Sequence, residues 1–146
     1  MTKTIRNLSI WTLIMHLLIL IGAGHGVGPL GIFELFPIIH LDDFFERLSF
    51  SFSNSYDQLL PVAVLFSIIG QILMLFSFAA IDSSLKVISI LFAMAGMYLG
   101  VFYLSVNCRS DSASMLSFIT ALPFIILSVG LLVITYKQLK ADDEQL

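Results

Sequence analysis

Four residues in otherwise uncharged stretches carry groups able to do chemistry: His16, Gln71, Tyr98 and Pro123. Imidazole accepts, donates or carries a proton, the carboxamide and the phenol both donate and accept, and Pro123 leaves the Ile119 carbonyl without its helical donor. Such groups are costly in hydrocarbon unless they meet one another or a ligand. Each lies near the middle of its own apolar stretch, so the four are expected to converge at mid-depth. That spot would serve as a ligand-binding pocket for a quinone head group, as a proton relay, or as interhelical hydrogen bonding worth roughly 0.6–2 kcal/mol per contact.

His25, Glu34 and His40 form the one set of imidazoles and a carboxylate that suits zinc, iron or copper(II), at the outer mouth of the bundle. Their spacing matches no established ligand motif, and Asp42 or Asp43 would be needed as a fourth ligand. A haem held by two histidines is disfavoured: His16 and His25 are nine residues apart, half a turn out of phase on one helix, and no other stretch contains histidine. His16 with Met74 or Met97 is the remaining haem pair. Haem and quinone are therefore the cofactors to consider. Catalysis by Ser67, Ser77, Ser89, Ser117 or Ser128 is disfavoured because no charged acid or base shares their depth, so the chain reads as non-enzymatic.

What positions these residues is a set of four long apolar stretches. Residues 8–28, 60–81, 87–106 and 115–136 contain no Asp, Glu, Lys or Arg. About 20 such residues in a helix span a hydrocarbon layer roughly 30 Å thick. The composition agrees, with 58% hydrophobic and 12% charged residues and a mean hydropathy of +1.00; soluble domains carry about 25% charged residues. Seven scattered basic residues offer no patch for nucleic acid. The first stretch follows Lys3 and Arg6 and ends in small residues, as a secretory signal would, but it is long for a signal and is read as a retained span. The expected fold is an all-α integral membrane protein: one domain over 1–146, a four-transmembrane antiparallel bundle.

Lys3, Arg6, Lys86, Lys137 and Lys140 fall on one side of this arrangement, Arg47 and Arg109 on the other. The asymmetry places both termini on the cytoplasmic side of a bacterial-type inner membrane. The one long link then lies outside. Within it Leu41, Phe44, Phe45 and Leu48 recur at helical spacing opposite Asp42, Asp43, Glu46 and Arg47, predicting an amphipathic interfacial helix. Ser49 to Ser53 alternates with period two, as an extended strip would. Residues 32–53 together are expected to lie as a lid over the outer mouth.

Glycines at 22, 24, 26, 28 and 31 make up five of the nine in the chain. Read as helix, they pair Gly22 with Gly26 and Gly24 with Gly28, while the third stretch pairs Gly96 with Gly100. Small residues four apart let backbones approach closely, so the first stretch is expected to pack on the third or on another subunit. The function expected on this reading is that of an accessory or assembly subunit, or an oligomer, whose partners are the bilayer and other membrane subunits or copies of itself. The alternatives are a quinone-, haem- or small-ligand-binding redox protein using the mid-membrane spot, and metal binding at the outer mouth.

Overall fold

The computed structural model of the chain describes residues 2–23, 26–51 and 54–143. They are mostly helical, in the order α1 (Lys3–Leu17), β1 (Leu20–Ala23), β2 (Gly26–Pro29), α2 (Leu30–Phe33), α3 (Phe36–Ile39), α4 (Leu41–Glu46), α5 (Tyr56–Ala79), α6 (Ser83–Ser105) and α7 (Ser112–Asp143). Three helices, α5, α6 and α7, are long and apolar enough to cross a membrane.

Each of these three begins where the sequence offers a cap. Ser55 and Gln58 form a capping box at the start of α5, Gln58 Oε1 accepting from the Ser55 amide at 3.1 Å. Asp82 caps α6 by accepting from the Ser84 amide. Their outward faces are apolar, with Ile72, Phe92 and Ile126 among the most exposed side chains, as lipid contact requires. Inward faces carry small residues. On α5, Ala63, Ser67 and Gly70 meet Ala93, Gly96 and Gly100 of α6. On α7 the inward seam is Ser114, Ser117, Ala121, Phe124, Ser128, Leu131 and Thr135, alternating three and four apart.

The first apolar stretch is not the 21-residue helix that its hydropathy predicts. Helix α1 stops at Leu17, and the chain continues as an extended hairpin, β1 antiparallel to β2 with Leu20 opposite Pro29 and Ala23 opposite Gly26. Glycine every second residue explains the change: each costs a helix about 1 kcal/mol relative to alanine, and Pro29 cannot donate. Gly22, Gly26 and Gly28 stand in strands, so Gly22 and Gly26 do not pair as helical neighbours; Gly24 lies outside the described residues. Together α1 and β1 still run along α7 from Ala113 to Ile134. Trp11 and Lys3 share a cleft with Ile134, and Gly22 sits against Ala113. The helix supplies about 22 Å and the strand about 13 Å.

Extended backbone buried in this way must find partners within the protein. Here α7 provides them. Leu20 donates its amide to Thr120 Oγ1 at 3.0 Å and accepts from Ser117 Oγ at 2.9 Å. Since the single Ser117 proton goes to Leu20, the Tyr56 hydroxyl, 2.7 Å away, is the donor to Ser117. Ile19 and Ile21 fill the core on either side. Removing both hydroxyls, as Ser117→Ala with Thr120→Val, is expected to destabilise the protein in mild detergent by about 2–3 kcal/mol through stranded Leu20 amide and carbonyl groups; unfolding curves of the double variant against wild type measure it.

After β2 the chain turns back into the bundle. The Leu30 amide donates to the Ile19 carbonyl at 2.7 Å, Gly31 lies against Leu17, and Leu30 is fully buried. Only then does the link climb outward through α3 and α4. The predicted amphipathic helix forms over Leu41–Glu46 with Asp42 and Asp43 in its first turn, and Phe44 alone of its apolar set is buried. Leu48 follows the helix rather than belonging to it. No regular structure covers residues 48–51, and Phe52 and Ser53 lie outside the described residues.

Candidate functional site

A polar contact joining three elements lies in the interior. Gln71 of α5 donates from Nε2 to Glu34 Oε1 at 2.6 Å and stands 3.1 Å from His16 Nδ1 at the end of α1. His16 is fully buried and Glu34 nearly so. The ring of Phe124 closes one side of the imidazole, edge-on at 4.8 Å between centroids. Three covalently distant positions are thus brought to one point by the early stop of α1, the inward turn of the link and the length of α5.

The pair His16 and Gln71 meets as the sequence suggests, but the rest of the expected spot does not. Tyr98 bonds Ser128 at 2.6 Å and packs on Phe124, which stands between it and the imidazole. Pro123 is exposed on the outward face of α7, because the inward seam falls on Ala121 and Phe124. Gly96 and Gly100 pack on α5, against Gly70 and Ser67, rather than on α1.

The outer-mouth set is also redistributed. Glu34 points to Gln71 in the interior, while His40 is exposed beside Phe36 at 5.2 Å; His25 lies outside the described residues. Among the described residues no three His, Cys, Asp or Glu side chains gather as a metal site would require. Met74 and Met97, the other expected haem ligands, are both fully buried.

Sequence reasoning missed two features of the site. Glu34 was assigned to the surface because its depth depends on the link folding back. Ser9 and Thr12 were overlooked although, with His16, they follow one face of α1 at successive turns. All three are fully buried, and the His16 ring lies beside the Met97 backbone; among the described residues Ser9 Oγ and Thr12 Oγ1 have no hydrogen-bond partner. Thr135 Oγ1, at the inward seam of α7 near the start of α1, shares that condition. The three α1 groups succeed one another at rises of about 4.5 and 6 Å. A file of polar groups therefore runs along α1 from Ser9 to the His16–Gln71–Glu34 contact.

Electrostatics single out the carboxyl. Burial pushes Glu34 up to about 7 from 4.5, and the bond from Gln71 pulls it partly back. No Asp, Glu, Lys or Arg occurs between 60 and 81, 87 and 106, or 115 and 136, so no opposite charge from those helices holds the carboxylate ionised. No family model matches this chain, and neither curated proteins nor solved structures include a match to it.

Proposed function

We propose that this is a small proton-handling membrane protein whose working centre is the contact of His16, Gln71 and Glu34. The observation that carries the reading is the buried hydrogen-bonded chain from a carboxyl through a carboxamide to an imidazole. Its heavy-atom positions fit two proton arrangements. With Glu34 ionised, both Gln71 N–H groups donate, one to Glu34 and one to His16 Nδ1, and the imidazole proton sits on Nε2. With Glu34 protonated, the amide turned over accepts from the Glu34 hydroxyl and from His16 Nδ1–H, leaving Nε2 free to accept. The second arrangement holds one proton more than the first. Turning the amide therefore couples the charge of Glu34 to the protonation of His16 Nε2.

On the distribution of Lys and Arg, we place both termini at the cytoplasmic side of a bacterial-type inner membrane, with α1 and β1 together making a fourth crossing. Gly96 and Gly100, two of the glycines behind the accessory-subunit alternative, pack against Gly70 and Ser67 within the chain. Quinone binding at the same centre would use the same imidazole.

Proton flux into vesicles carrying an interior pH dye tests the proposal. Wild-type protein is expected to dissipate an imposed gradient faster than empty vesicles, with Glu34→Gln or Thr12→Val slowing it at least about tenfold. A wild-type rate equal to that of empty vesicles contradicts the reading.

A further inference from the structure

A cleft of about 650 Å³ opens between the outward-climbing link and the first turns of α5, a volume in the range of small-molecule sites. Phe33, Phe36 and Phe44 form its link side, and Leu60 and Val64 its α5 side. Its mouth is polar and carries two opposite charges, Arg47 after α4 and Asp57 in the first turn of α5. They border the same space without pairing: among the described residues neither side chain has an ion pair or hydrogen bond. Both are exposed, so each is available to a ligand.

An apolar trough beneath one cation and one anion is complementary to an amphiphile with a zwitterionic head. We propose that this cleft binds a phospholipid with a phosphoethanolamine head. The guanidinium of Arg47 takes the phosphate, for which its planar fork is suited. Asp57 accepts from the primary ammonium, which a quaternary choline head cannot donate. An acyl chain lies along the three phenylalanines. A purely anionic lipid would satisfy Arg47 while adding negative charge beside Asp57.

Native mass spectrometry of the full chain, extracted in mild detergent with equal amounts of phosphatidylethanolamine, phosphatidylcholine and phosphatidylglycerol, tests the assignment. Wild type is expected to retain phosphatidylethanolamine about tenfold over the other two. Asp57→Asn is expected to remove that preference, and Arg47→Gln to lower retention of all three lipids about tenfold. Both positions are exposed, and unchanged thermal unfolding of the variants confirms that the fold is kept. Equal retention of the three lipids by wild type, or undiminished retention by Arg47→Gln, overturns the assignment. Displacement of bound lipid by soluble phosphoethanolamine overturns it too, because it removes the role given to the apolar trough.

Discussion

Replacing Gln71 by leucine is expected to cost about 3 kcal/mol of stability in mild detergent, the larger part of it from the two groups it leaves behind. Glu34 Oε1 and His16 Nδ1 both lose their partner in a largely buried region. The decisive comparison adds apolar residues at the other two positions. Gln71→Leu with Glu34→Leu and His16→Leu removes every stranded group at once, and replacing all partners of a buried polar contact by apolar groups is nearly neutral. The triple variant is therefore expected to be more stable than the single one. Destabilisation that adds up across the three positions would show that they do not act together.

Gly70→Leu is expected to have a similar or larger effect by a different route. A Cβ at this position would stand 2.7 Å from the Ala93 carbonyl oxygen and 2.7 Å from the Met97 amide nitrogen. Both are backbone atoms of α6 and cannot turn aside as a side chain can. Gly96 meets Gly70 from the other side, and a Cβ on Gly100 would land on Ser67 Oγ. Helices α5 and α6 must separate to admit the substitution, for a loss of about 3 kcal/mol. Gly130→Ala is the control: its Cβ would meet nothing closer than Leu8 Cδ2 at 3.8 Å, so the variant should be at least as stable as wild type, by up to about 1 kcal/mol. Equal stability of the two variants would mean that the α5–α6 seam is looser than described.

The three long helices were legible because their signal is local. An uninterrupted apolar run bounded by Ser55 or Asp82 makes the same statement in every tertiary context, and the observed ends lie within four residues of the expected ones except that α7 continues to Asp143. Gln71 and His16 stood out for a related reason, since a polar side chain inside an apolar run is conspicuous wherever the helix packs. The first apolar stretch differs from expectation because hydropathy is blind to secondary structure. The alternation of glycine at 22, 24, 26 and 28 has the period of a strand, and that period was the available signal. What no local pattern reveals is that Ser117 and Thr120 would satisfy the Leu20 backbone from a hundred residues away. Without that support the strand could not lie where it does, and the link would not return inward. Glu34 was placed at the surface for this reason alone. Its depth is a consequence of tertiary structure rather than of the residues around it.

Infrared difference spectroscopy of wild type and Glu34→Gln across a pH titration is the most direct test of the buried centre. A protonated carboxyl stretch present in wild type, absent from the variant and disappearing with a midpoint near 7 is the result expected for a Glu34 held against Gln71 in the interior. Spectra of the two proteins that coincide above pH 5.5, with Glu34 titrating near its ordinary 4.5, would place that carboxyl in water and contradict the account.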